Sequence, residues 1–162
     1  MADKTVKVHV SNLKKSFGKL EVLKADWKPY IESVEQKLFG QGEAFYQEAF
    51  ARFEREVCKE ERWEIYLEQL MVYFLFTYFC GAVYDEMAYE KAKFAVASTL
   101  LIQEMVFASF LSHGKFPQVE EVAEIAHRYA KEVEHSDTNL KRLEELFQKE
   151  KSFHLLSLLA VV

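Results

Sequence analysis

The chain has 162 residues, half of them apolar and 15% aromatic, which is about one domain with enough apolar mass for a substantial core. Five Gly and two Pro are too few turn-formers for a many-stranded β protein. A net charge of −5 and a pI near 5.6 argue against nucleic acid as the main ligand.

Charge is uneven along the chain. Residues 1–28 carry seven Lys against three acids, and the remainder carries 14 basic and 23 acidic side chains. The lysine-rich lead-in can lie against the acidic body or stay solvated. The opening Met-Ala-Asp-Lys-Thr is polar and lacks a signal-peptide core. Next, "TVKVHV" alternates Val6, Val8 and Val10 with Lys7 and His9, the pattern of a short strand. The following "SNLKKSFGKLEVLK" resembles the opening strand and turn of ABC-transporter ATPases. No phosphate-cradling Gly-x-x-x-x-Gly-Lys-Ser/Thr exists anywhere in the chain, so that resemblance is set aside.

From Asp26 onward the pattern is helical. Asp26 can cap a helix to about Phe39, with Trp27, Ile31, Val34 and Leu38 on one face and Gly40 and Gly42 beyond it. Residues 43–60 repeat Tyr46, Phe50, Phe53 and Val57 at spacings 4, 3, 4. Residues 62–80 open with Trp63, Tyr66, Leu67 and Leu70 and then become apolar all round, which predicts the central helix. The longest apolar run, Leu70–Tyr84, has 15 residues. That is short of the ~18–20 needed to span a bilayer, so it reads as a helix buried on all sides, with no membrane span. Asp85 can cap a long helix to about Ser112, stopped by Gly114 and Pro117. Residues 118–135 place Val119, Val122, Ala126, Tyr129 and Val133 on one stripe, and a last helix over about 138–150 buries Leu140, Leu143 and Phe147. The expected fold is all-α: an extended arm over 1–25, then a single bundle of five to seven helices over 26–162.

Several chemistries find no support. Cys58 and Cys80 are 22 residues apart with no nearby His, so a zinc or iron–sulfur site built from this chain alone is not expected. Reduced thiols and the absence of a leader point to a cytoplasmic setting. Neither Gly-x-Ser-x-Gly nor Gly-x-Gly-x-x-Gly is present, which leaves a nucleophile elbow and a conventional nucleotide or S-adenosylmethionine Rossmann site unsupported. Two Glu-x-x-His pairs, Glu124 with His127 and Glu132 with His135, have the spacing by which di-iron bundles chelate metal. Both lie on one helix, ~12 Å apart along its axis, so they cannot share a metal pair. Glu124 and His135 point away from the apolar stripe, with Glu132 and His127 on its flanks. His135 near a helix C-terminus would meet unpaired carbonyls favourably, and Ser136 or Asp137 can cap the next helix. Glu104 stands in an otherwise apolar helix. It either forms a solvent strip with Gln103 or is buried against a partner such as Arg128, His127 or Lys131.

"RYAKEVEHSDTNLKRLEEL", "WEIYLEQLMVYFLF" and "GAVYDEMAYEKAKFAVASTLLIQEM" together resemble the C-terminal helical half of the flagellin lysine N-methylase family. Members show a Tyr-Leu-x-x-x-x-x-Tyr segment before an apolar helix, and later an Arg-Glu-Ile-Glu-His-like stretch followed by Asn and Leu. The counterparts here are Tyr66, Leu67 and Tyr73, then Lys131, Glu132, Val133, Glu134 and His135, then Asn139 and Leu140. The likeness covers about residues 26–148. Two departures stand out. The family's N-terminal cysteine-rich cluster is missing, and Lys131 replaces an expected Arg, which loses bidentate carboxylate recognition. The resemblance implies that the whole enzyme moves methyl from S-adenosylmethionine to a flagellin lysine. This chain would be a substrate-binding or scaffolding module, with no identifiable catalytic motif and no cofactor of its own. Its face from Arg128 through Lys131, Glu132, Glu134 and His135 to Asn139 would meet flagellin or the missing N-terminal half. Glu132 and His135 would hold a helix junction or an inter-domain contact.

Two other readings stay open. With 14 Phe, eight Tyr and two Trp, the chain has apolar surface to spare, which suits a non-enzymatic interaction module or homodimer. A small apolar ligand pocket among Phe74, Phe94 and Phe107 is the third.

Overall fold

A computed structural model describes residues 16–18, 20–149 and 153. Among these, six main helices form one bundle and there is no strand. The TVKVHV segment and the lysine-rich stretch through residue 15 lie outside the described residues.

Helix α1, Trp27–Phe39, buries Trp27, Ile31, Val34 and Leu38. Asp26 stands at its N-cap position but makes no side-chain cap bond there. Its carboxylate instead takes Arg128 Nη1 at 2.8 Å. Helix α2, Glu43–Phe53, follows Gly42, whose φ of +90° only glycine adopts readily. The helix expected over 43–60 is not uniform: it widens into a π turn at Glu54–Cys58. Helix α3, Glu61–Tyr78, tightens into a 3₁₀ turn at Phe79–Gly81 and one further turn, Ala82–Asp85. Helix α4, Ala88–His113, is closed by Gly114, which has φ +62° and donates its N–H to Phe110 O at 2.7 Å. Helices α5, Val119–Val133, and α6, Asp137–Lys149, complete the bundle.

Which helix is central differs from expectation. The apolar α3 lies at the side and buries only Trp63 and Phe74. The centre is α4, buried at every position from Lys93 to Ala108 and packed against α1, α2, α3, α5 and α6. Both helices are apolar all round, so periodicity cannot rank them. Side-chain size does: α4 carries Ala95, Ala97, Ser98 and Ala108, over which five neighbours can close. The bulky aromatics of α3 do not permit that approach. Two helical runs, Glu61–Tyr84 and Ala88–His113, are long and apolar enough by length and composition to cross a membrane, so the first extends well beyond its 15-residue apolar run. The second is enclosed by the bundle.

The core is aromatic. Phe53 packs against Trp63, Phe107 and Phe110 at 5.0–5.8 Å between ring centroids. A second cluster runs Phe74–Phe94–Phe147–Phe153. Phe74 and Phe94 thus belong to one packed aromatic cluster and Phe107 to another. Phe17 and Leu20 are buried in the same core, and Phe17 meets Trp27 edge-on at 5.4 Å.

Candidate functional site

Helix α5 ends at Val133, and the chain turns through Glu134, His135 and Ser136 into α6. The apolar stripe of Val122, Ile125, Tyr129 and Val133 fixes the roll of α5 against the core. That roll leaves Glu132 facing the incoming chain. Ser136, of the two capping candidates, starts α6: its Oγ accepts the N–H of Asn139 at 3.1 Å.

Glu132 was expected on a flank of the stripe and is instead buried, at 1% exposure. Residues 21–24 cross over it. Its two carboxylate oxygens accept the main-chain N–H groups of Leu23 at 2.9 Å and Lys24 at 2.7 Å. Asn139, also buried, completes the grip. Its Oδ1 accepts the N–H of Glu21 at 2.7 Å, and its Nδ2 donates to Glu21 O at 2.8 Å and Glu132 O at 2.7 Å. A buried carboxylate is tolerated when strong donors replace lost water, and two amides aimed at one carboxylate do so.

Glu134 serves a different neighbour. Its Oε2 accepts the hydroxyls of Tyr73 and Tyr78, each at 2.8 Å, which ties the α5–α6 turn to the side of α3. Both phenols are raised above their ordinary pKa, by burial first and then by the Glu134 carboxylate. Arg128 pairs with Asp26, lies 3.9 Å from Glu124, and stacks 4.6 Å above the ring of Tyr30. Burial pushes the Tyr30 phenol up to about 12, with Arg128 opposing the shift. Arg128, Lys131 and Glu132 share the wall of a charged cleft of about 310 Å³ with Lys24, Asp26 and His127. The ring of His135 is exposed, and only its backbone N–H, at 3.3 Å from Ala130 O, joins the junction.

The predicted face is therefore not one surface. Glu132 and Asn139 grip residues 21–24, Glu134 grips α3, Arg128 and Lys131 line a cleft, and His135 stands apart. Sequence reasoning missed these grips because the partners are 56–118 positions away, too far for local spacing to signal.

Glu104 is buried too, and no solvent strip exists: Gln103 is also buried. The hydroxyl of Tyr46 on α2 lies 3.0 and 3.1 Å from the two carboxylate oxygens, a different partner from the bases expected. The Tyr46 phenol is held far above its ordinary pKa by burial and by that carboxylate.

A second cleft, about 390 Å³, opens between the π turn, α3 and α4. Trp63, Leu67, Met71 and Leu100 line it, with Glu54, Glu64 and Glu68 among its polar groups. Cys58 also faces it, its thiol pushed up to about 12 by burial and by the charges of Glu54 and Glu104, far from thiolate reactivity. Among the described residues no three His, Cys, Asp or Glu side chains gather as a metal-holding group.

A family model described as the FliB lysine N-methylase C-terminal domain matches residues 2–161. No curated protein and no solved structure matches the chain.

Proposed function

The chain belongs to the FliB lysine N-methylase C-terminal domain family, and from that premise we propose that it is the helical scaffolding module of a flagellin lysine N-methylase-like protein. It shapes and supports the enzyme while methyl transfer takes place elsewhere in the whole protein. One observation carries this reading. The two glutamates of the Glu-x-Glu-His stretch and its following Asn, the most family-like part of the chain, are engaged inside the domain, while the His135 ring is exposed. Glu132 and Asn139 bind main chain of residues 21–24, and Glu134 binds Tyr73 and Tyr78. Glu132 and Asn139, bonded in this way, serve the fold of the domain.

The methyl donor of such an enzyme, S-adenosylmethionine, does not suit either cleft. In the charged cleft, Glu132 and Arg128 are already bonded to the chain's own groups. The apolar cleft has no Lys, Arg or His in its wall to take the donor's carboxylate. On this reading the partners of the module are proteins: the rest of the enzyme, or flagellin.

Calorimetric titration and a methyl-transfer assay with labelled donor test the reading. The chain is expected to give no heat with S-adenosylmethionine and no labelled flagellin. Saturable donor binding together with label transfer by this chain alone would overturn it.

A further inference from the structure

The cleft between the π turn, α3 and α4 is apolar inside and acidic at its edge. Phe50 of α2, Leu67 and Met71 of α3 and Leu100 of α4 form its walls. Glu64 and Glu68 line it one helical turn apart, ~6 Å along the axis of α3. Glu54 joins them from the π turn. All three are exposed, and among the described residues none of them has an ion pair. The nearby bases are engaged elsewhere or stand outside the cleft. Arg52 and Arg55 go to Glu56, and Arg62 lies over the ring of Phe116. Lys59 is exposed and is no part of the wall. Residues 54–68 carry six Glu against three bases, so the negative excess holds for the whole neighbourhood.

An acidic rim alone would be a solvated surface. The floor adds a second feature. Gln103 is only 6% exposed and lines the cleft, yet no hydrogen bond holds its carboxamide to a described protein group. A buried amide without a partner is costly, and its oxygen is an acceptor ready for an N–H inside the cleft. The indole N–H of Trp63 also lacks an acceptor, but it is closed off from solvent and out of a ligand's reach.

We propose that this cleft binds a linear polyamine, a flexible run of methylenes interrupted by protonated amines. Its volume, about 390 Å³, suits a small molecule. The methylenes lie along Phe50, Leu67, Met71 and Leu100. The ammonium groups meet Glu54, Glu64 and Glu68, and one N–H goes to the Gln103 oxygen. A single ammonium, such as one lysine side chain, would leave two of the three carboxylates unanswered. A divalent metal ion needs ligands converging on one point, and among the described residues no three acids do so. An anion would be repelled. A bound polyamine would tie α2 and the π turn to α3 and α4. This binding goes beyond the scaffolding role and does not depend on it.

Calorimetric titration of the full chain with spermidine at neutral pH and low salt tests the proposal. Saturable binding is expected, weakening as sodium chloride is raised. Nα-acetyl-lysine amide should bind about 10-fold or more weaker. Glu54→Gln, Glu64→Gln and Glu68→Gln should each weaken spermidine binding about 3- to 5-fold, and together about 30-fold or more, with helicity by circular dichroism unchanged. Gln103→Leu separates binding from folding. It should weaken binding about 10-fold, while the thermal midpoint holds or rises because a buried unpartnered amide is removed. Absence of saturable heat with spermidine up to ~1 mM would overturn the proposal. So would lysine amide binding as tightly, magnesium displacing spermidine at matched ionic strength, or undiminished binding by the triple Gln chain or by Gln103→Leu.

Discussion

Glu104, deep in the bundle, takes the hydroxyl of Tyr46 on its carboxylate. Tyr46 is itself fully enclosed, stacked against Phe39 and Phe50 and set edge-on to Phe107, so its hydroxyl cannot drift from its acceptor. Tyr46→Phe keeps the ring and removes the donor. It should lower stability by about 1–3 kcal/mol, the cost of leaving a buried polar group short of a partner. Urea unfolding followed by far-ultraviolet circular dichroism measures it, and an unchanged midpoint would show that Glu104 does not depend on this bond. At the α5–α6 turn, single residues divide sharply. Asn139→Ala removes three bonds made by one buried amide and should cost about 2–3 kcal/mol. His135→Ala removes an exposed ring and should stay within ~0.5 kcal/mol. Equal losses in the two variants would contradict the geometry of the junction.

At the scale of elements, the ends and faces of helices carry the architecture. Gly114 closes α4 in a left-handed conformation, with only Arg52 Nη2 in ordinary contact, 3.9 Å from where a Cβ would stand. Gly114→Ala therefore meets backbone strain and no clash, and should cost about 1 kcal/mol, seen as a lower thermal midpoint. Much of this level was legible in the sequence. The stripes of α1 and α6, and most of that of α5, follow from spacing because each helix has one wet face and one dry face; in α5 the first stripe residue, Val119, is exposed and Ile125 joins the buried side instead. The ranking of α3 and α4 was not legible, because two helices apolar on every side look alike until the packing of their neighbours is known. The π turn at Glu54–Cys58 also leaves no local mark in an otherwise regular spacing. The candidate site was legible as a helix end, a capped turn and a new helix. The grips of Glu132, Glu134 and Asn139 were not, since each joins segments distant in sequence.

For the molecule as a whole, buried phenols set a limit in alkali. Tyr46, Tyr78 and Tyr129 are held well above the ordinary tyrosine value by burial, and Tyr30 is raised to about 12. An unfolded chain ionises these groups near pH ~10 while the folded chain resists. Each raised phenol thus adds a contribution that is complete below pH ~10 and fades as pH climbs from there toward the folded-state value. Base titration should therefore show tyrosinate absorbance at 295 nm rising together with loss of helical signal. Full ionisation of all eight tyrosines with helicity intact would refute this picture of the core.

The grip on residues 21–24 is indifferent to the side chains they carry. Glu132 and Asn139 hold main-chain atoms, while the side chains of Val22, Leu23 and Lys24 are exposed. What they recognise is a path, independent of the letters written along it. Most replacements at 23 and 24 should pass unnoticed in a thermal melt. Leu23→Pro or Lys24→Pro deletes an amide that Glu132 needs and should stand out from every other substitution at its position. Relatives of this chain could thus differ freely in spelling here and still lay the strand of chain in the same groove.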